Sequence, residues 1–203
     1  MTFSYPPNLR GLLEELDAEG TRHDATDQNR ATRWLSITPD TGAFLWAQVR
    51  LKGARNVLEL GSSHGYSTIW LASAVEGQEG SVTSVDVDAR KTEAARANVK
   101  RAGLEGAVTW VTADAGAFLN EGPVARWDFI FLDAERKAYP SYWANLWRSL
   151  RPDGVLVVDN AVSHAEELAP FVECIRQEPS AHHVLVPVGK GELVVVKAAR
   201  AAR

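Results

Sequence analysis

The run Val57-Leu58-Glu59-Leu60-Gly61-Ser62-Ser63-His64-Gly65-Tyr66-Ser67 constrains this chain more than any other stretch. An apolar run that stops abruptly in small residues predicts a buried parallel strand, delivering its carboxyl end to a ligand. Gly61 and Gly65 permit a sharp turn and leave no Cβ between backbone and ligand. From Tyr66 to Ala74 the sequence reads as a helix, whose first N–H groups and positive dipole end point at whatever the turn binds.

The glycine spacing narrows the ligand. A dinucleotide site needs G-x-G-x-x-G, whereas this chain has Glu59-x-Gly61-x-x-x-Gly65, and it has no Gly-Lys-Ser/Thr phosphate loop. A nicotinamide oxidoreductase would fit the sheet but not this turn. Glu-x-Gly-x-x-x-Gly-Tyr-Ser resembles instead the first motif of the Rossmann-like, S-adenosylmethionine-dependent methyltransferases.

Around this motif strands and helices alternate. Strands are expected over 56–60, 81–86, 108–112, 129–132, 154–158, 184–188 and 192–197, with helices over 66–74, 89–102, 116–120, 139–150 and 165–177. Gly189-Lys190-Gly191 reads as a hairpin turn, which makes the last strand antiparallel. Before the first strand, Leu9, Leu12, Leu13 and Leu16 have helical spacing, with Asn8 as N-cap and Gly20 as the stop. A second helix is expected from Pro39 to Leu51, capped by Thr38. The expected architecture is one α/β domain: a Rossmann-like, mostly parallel seven-stranded sheet with an antiparallel C-terminal strand and helices on both faces. Residues 1–52 form a helical N-terminal cap and residues 53–203 the core.

A net charge of −4 argues against nucleic acid or an anionic membrane as partner. No apolar run approaches the roughly 20 residues of a membrane span, and Met1 to Arg10 does not resemble a secretory signal. Cys174 is the sole cysteine, expected to be a buried structural thiol. The expectation is a cytoplasmic protein acting on a small molecule.

In open α/β sheets ligands bind beyond the carboxyl ends of the strands. Acidic residues stand at or just past those ends five times: Glu59, Asp86, Asp114, Asp133 and Asp159. A single one could be a helix cap; five in register point to a site. For the cofactor the motif suggests, Asp86 would accept from ribose hydroxyls. Asp114 would accept from the adenine amino group, with the Ala115 N–H on a ring nitrogen. Glu59 and Gly61 would lie beneath the methionine portion, and Ser67 would bond its carboxylate. Thr38, Ser62, Ser63, Gly65, Tyr66, Val87 and Asp133 complete the expected cofactor set.

The segment Phe131-Leu132-Asp133-Ala134-Glu135-Arg136-Lys137, followed by Leu156-Val157-Val158-Asp159-Asn160, sets three oxygen donors on two strand ends. Oxygen donors with room for water or substrate suit Mg²⁺ best among divalent cations. With Ile37-Thr38-Pro39-Asp40-Thr41-Gly42-x-Phe44-Leu45 and Pro152-x-Gly154, this resembles the cation-dependent O-methyltransferases, the family of the caffeoyl-CoA and catechol enzymes. The resemblance runs from Ile37 to Lys197. It implies S-adenosylmethionine, a cation held by Asp133, Asp159 and Asn160, a vicinal dihydroxy-aromatic acceptor, and a homodimer as a common family state.

One position departs from the family pattern. Three residues after the first metal aspartate, where the family has a lysine thought to take the hydroxyl proton, stands Arg136, a permanent cation and a poor base. Lys137 could turn inward, the cation alone could ionise the acceptor, or His164 could serve; His164 could equally be a further ligand or part of a helix cap. His64 reads as filler in the turn, Trp143 and Trp147 as core, and Trp34 either as pocket wall or as packing. Two other readings stand beside the main one: a metal-independent O- or N-methyltransferase, and a cofactor-binding module without catalysis.

Overall fold

A computed structural model describes residues 3–29 and 32–199. Met1, Thr2, Arg30, Ala31 and residues 200–203, which the expectations for the two termini and for the polar stretch ending at Arg30 include, lie outside the described residues. Helices α1 (Arg10–Thr26) and α2 (Pro39–Lys52) precede strand β1 (Asn56–Leu60) and helix α3 (Tyr66–Val75). Then follow β2 (Ser81–Asp86), α4 (Ala89–Arg101), β3 (Val108–Thr112), α5 (Ala115–Glu121) and β4 (Trp127–Leu132). The chain closes with α6 (Tyr139–Ser149), β5 (Leu150–Val158), α7 (Ala165–Arg176), β6 (Ala181–Val186) and β7 (Glu192–Lys197). The strand order is β3-β2-β1-β4-β5-β7-β6. β7 runs antiparallel to both neighbours, and every other adjacent pair is parallel, as the sequence led us to expect.

Each face of the sheet has its own core because side chains alternate along a strand. Val57, Phe129, Phe131, Val155 and Val157 pack with Leu13, Leu45, Ile69 and Trp70 from α1, α2 and α3. Leu58, Leu60, Ile130, Leu132, Leu156 and Val158 pack on the other face, with Tyr139, Leu146, Leu168 and Phe171 from α6 and α7. Trp143 and Trp147 border this second core, half-buried, their rings 5.0 Å apart. Cys174 is partly buried rather than sealed in.

Four local expectations need correcting. Gly20 does not stop α1, which runs on to Thr26; it is a buried packing glycine, where a Cβ would come within 3.2 Å of the Trp34 ring. Asn8 does not cap α1: Leu9 holds the cap position without a side-chain bond, and Asn8 turns the chain at φ +62°. β6 begins three residues early, at Ala181, with His182 and His183 paired to Val196 and Val195. This is an edge strand with exposed side chains, so it needs no apolar pattern to form. β4 and β5 also start early, at Trp127 and Leu150, across a register shift that alternation cannot reveal. Thr38 does cap α2, accepting from the Thr41 N–H at 3.4 Å, with Pro39 in the first turn.

The parallel strands do not stop together; their hydrogen-bond ladder runs on into the loops. Gly61 N–H donates to Val85 O (2.8 Å), Ala113 N–H to Asp86 O (3.0 Å), Asp133 N–H to Leu60 O (2.9 Å) and Asp159 N–H to Leu132 O (3.2 Å). The loops that follow β1, β2, β3, β4 and β5 are thereby set side by side along one edge. Gly61 is the tightest point. Its φ is +97°, and a Cβ there would overlap the Asp133 carbonyl. Replacing it with alanine demands both an unfavourable conformation and a backbone shift. Gly61→Ala should cost more than about 2 kcal/mol in urea or thermal unfolding. Gly11→Ala, where nothing lies within 4 Å, should cost nothing comparable. Equal stabilities for the two variants would contradict this packing.

Candidate active site

Beyond that edge lies a cavity of about 990 Å³, walled by the loops after β1 to β5, by residues 33–37, and by Lys190 of the β6–β7 turn. That is room for a cofactor and a small second molecule. Its floor is the turn between β1 and α3. Beneath the floor Glu59, with 0% exposure, accepts from Ser67 Oγ (2.5 Å), Thr68 Oγ1 (2.5 Å) and Ser84 Oγ (2.6 Å). Burial raises the Glu59 carboxyl while these three hydroxyls pull the other way. Glu59 thus ties β1, β2 and α3 together and does not line the cavity.

The turn itself is shaped by Asp86. Its Oδ2 accepts from the N–H groups of Ser62 (3.1 Å) and Ser63 (2.9 Å), and its Oδ1 from Asp88 N–H (2.9 Å). A carboxylate has about four acceptor positions, so one is left for a ligand. Gly65 holds the N-cap of α3 in a left-handed conformation without a side-chain cap, leaving the first-turn N–H groups to a ligand. Asp114 caps α5 through Ala117 N–H (2.9 Å), so here the cap reading and the site reading coexist; its other oxygen bonds no described residue.

The segment before α2 forms one wall. Asp24 of α1 accepts from the N–H groups of Trp34 (2.7 Å) and Leu35 (2.9 Å), and Ser63 Oγ donates to the Trp34 carbonyl (2.5 Å). The Trp34 ring stacks on His64 at 4.3 Å between centroids and on His23 at 5.5 Å. His64 is therefore more than filler: it joins the N-terminal segment to the glycine turn. Burial, helped by the Lys91 charge, lowers its imidazole to about 4.

At the other end stand Asp133, Asp159 and Asn160. Asp159 and Asn160 are 2% and 6% exposed. The Asn160 amide nitrogen lies 3.2 Å from Asp133 Oδ1 and 2.8 Å from Asp159 Oδ2, while the Asn160 N–H donates to Asp159 Oδ1 (2.7 Å). Asn160 has φ +68°, a conformation asparagine tolerates better than most residues. Burial first, and Asp159 second, push the Asp133 carboxyl well above its usual range, with Lys190 and Arg136 opposing. Behind Asp159, Glu192 is fully buried: Thr41 Oγ1 donates to Oε1 (3.0 Å), and Oε2 has no donor. Burial and the nearby Asp159 push Glu192 up to about 10. Among the described residues no three His, Cys, Asp or Glu side chains converge as a metal cage, so a cation here depends on the Asn160 amide oxygen as well.

Of the expected site residues, Gly61, Ser62, Ser63, Tyr66, Ser67, Asp86, Val87, Asp114, Ala115, Asp133, Arg136, Asn160 and His164 line the cavity. Thr38, Glu59, Gly65, Lys137 and Asp159 do not. Thr38 is spent on the cap of α2 and on Asp40 (2.5 Å). Ser67 Oγ donates to Glu59 rather than standing free. Lys137 is exposed, whereas Arg136 is buried and donates through Nε to Glu167 (2.5 Å). His164 holds the cap position of α7 without a side-chain cap bond, its Nδ1 2.9 Å from Ser163 Oγ. Asp24, Glu192 and Lys190 were not foreseen. Only Lys190 had a usable signal: a hairpin returning beside β5 must place its turn near the end of β5.

A family model described as O-methyltransferase matches residues 10–197. The chain belongs to this family. It is 34% identical over 137 residues to a catechol O-methyltransferase of Niastella koreensis, covering 66% of this chain and 62%, under two thirds, of that protein. It is 33% identical over 165 residues to a catechol O-methyltransferase of Mycobacterium tuberculosis, covering 77% and 73%. The crystal structure of a Bacillus cereus O-methyltransferase in complex with SAH superposes with a TM-score of 0.78 at 28% identity, over 92% of this chain and 90% of that one. Its relatives include catechol and caffeoyl-CoA O-methyltransferases, and this family member shares the fold of the SAH-bound Bacillus cereus O-methyltransferase.

The His64 contact makes a pH prediction. An imidazole held neutral in the fold costs nothing above its unfolded pKa of about 6.5, where both states are neutral. As pH falls from there to about 4, only the unfolded chain takes up the proton, so stability is lost across that window. Thermal unfolding should show this loss in the parent, and His64→Gln should remove it. An unchanged pH profile in the variant would contradict a neutral, stacked His64.

Proposed function

We propose that this family member transfers the methyl group of S-adenosylmethionine to one hydroxyl of a small vicinal dihydroxy-aromatic acceptor, assisted by a divalent cation, Mg²⁺ by the chemistry of the donors. One observation carries the reading: two aspartates and an asparagine meet at adjacent strand ends, one loop away from a glycine turn shaped for the cofactor. The residues fit a cation. Burial first, and the neighbouring Asp159 carboxylate second, hold Asp133 far up, and the Asn160 amide lies between the two carboxylates. Amide N and O exchange places by a simple rotation, which would present the oxygen instead. Two carboxylates and one amide oxygen, with positions left for water or acceptor oxygens, suit a hard cation.

When bound, the cofactor supplies a methyl group on a sulfonium, and the cation supplies the Lewis acidity that lowers a hydroxyl pKa. The chain's own residues do the positioning. The N–H groups opening α3 would receive the cofactor's carboxylate, and Asp86 and Asp114 would offer their remaining acceptor positions to its nucleoside. Trp34 and Leu35, pinned by Asp24, form one wall of the cavity. Arg136, tied to Glu167, stays a fixed cation and takes no proton. Lys137 faces solvent, so among the three side chains considered for that task His164 is the one with both a place in the cavity wall and a basic nitrogen. Transfer would form the bond from acceptor oxygen to methyl carbon as the carbon–sulfur bond breaks, with S-adenosylhomocysteine leaving as the neutral thioether and the hydroxyl proton passing to His164 or to water. Most of the rate gain would come from alignment of the two molecules.

A cation-free methyl transfer is the second reading, favoured by the Asn160 amide already bridging both carboxylates. The test is methyl transfer from labelled S-adenosylmethionine to catechol, with Mg²⁺ and with EDTA. The proposal expects transfer that EDTA abolishes and Mg²⁺ restores. Transfer indifferent to EDTA would establish the cation-free reading, and no transfer to any vicinal diol would overturn the acceptor assignment.

A further inference from the structure

Lys190 stands at the tip of the turn between β6 and β7, flanked by Gly189 and Gly191 at φ +54° and +93°. The turn's backbone is held from two sides. Val162 and Ser163 N–H groups donate to the Lys190 carbonyl (3.1 and 3.0 Å) and Ala161 N–H to that of Gly191 (2.8 Å), while Gly189 N–H donates to Asp40 (3.2 Å). With the backbone fixed, what remains free to meet a ligand is the lysine side chain. Lys190 lines the cavity beside Asn160 and His164.

Four described lysines and arginines line that cavity, and three are engaged. Arg33 lies 3.9 Å from Asp24, Lys91 donates to the Arg33 carbonyl (3.2 Å), and Arg136 is bound to Glu167. The Lys190 ammonium makes no hydrogen bond or ion pair with any described residue, although the residue is half-buried. Its charge reaches Asp133 without pairing to it.

Position decides which molecule this charge would meet. The cofactor turn follows β1, and β7 lies three strands away across β4 and β5. At the usual strand spacing that is about 14 Å, beyond a methionine carboxylate seated at the start of α3. Lys190 therefore serves the acceptor end.

We propose that Lys190 binds an anionic substituent of the acceptor, so that a vicinal dihydroxy-aromatic bearing a carboxylate is preferred over the uncharged diol. This rests on the acceptor class proposed above and narrows it. A carboxylate on Lys190 is one charge-assisted hydrogen bond, worth about 10- to 100-fold in affinity. The anion would also give a half-buried ammonium the partner it lacks.

The test uses catechol and its carboxylated counterpart, dihydroxybenzoate with vicinal hydroxyls, and compares kcat/KM for the two in the parent, in Lys190→Met and in Lys190→Arg. The parent should favour the carboxylated acceptor by about 10-fold or more. Lys190→Met should collapse that ratio by raising KM for the carboxylated acceptor alone, and Lys190→Arg should restore most of it. A parent without preference, or a Lys190→Met variant with the parent's ratio, overturns the proposal; equal losses on both acceptors leave the ratio unchanged and count against it too. Methylation of neither acceptor by the parent would instead bring down the acceptor class itself, and this inference with it.

Discussion

The close approach of Gly61 to Asp133 governs the rest of the structure. The turn after β1 and the loop after β4 come so near that no side chain fits at Gly61. One glycine thus fuses the edge expected to hold a cofactor to the edge expected to hold a cation. The parallel ladder does the remaining alignment, tying the first N–H of a loop to a carbonyl of the neighbouring strand from β3 across to β5. Reactions that join two bound molecules depend on such fixed spacing more than on any single charge.

Around that centre the charges are arranged to hold loops. Glu59 gathers three hydroxyls under the turn, Asp86 takes two N–H groups within it and a third from its own loop, and Asp24 pins the N-terminal segment above it. Arg136 belongs to the same class: Glu167 fixes it between the β4 loop and α7. Arg136 is thereby a fixed part of the cavity wall. The end of the cavity proposed to take the acceptor is lined by Asp133, Asn160, His164 and Lys190, with Asp159 and Glu192 behind them.

Much of this was legible in the sequence because buried parallel strands leave a plain signature. Val57 to Leu60 and Phe129 to Leu132 are mostly apolar runs that stop abruptly at Gly61 and Asp133, and those two stops mark the ligand edge. What was not legible depended on contacts distant in sequence. Gly20 looks like a helix stop until Trp34 is seen packed on it, and Ser67 looks free until Glu59 is found beneath it. Edge strand β6 carries no burial pattern, so its start at Ala181 could not be read. Glu192 gives no warning either: a carboxylate opening an apolar strand is ordinarily at the surface, and only the β5–β7 register sets it behind Asp159.

Asp133, Asp159 and Asn160 are proposed to form a cation site beside the turn that follows β1. The most direct measurement is a calorimetric titration of Mg²⁺ into the protein saturated with S-adenosylhomocysteine, compared with Asp159→Asn. One ion should bind per chain in the parent, with affinity lowered by about 10-fold or more in the variant. No saturable binding in the parent, or equal affinity in both, would contradict it.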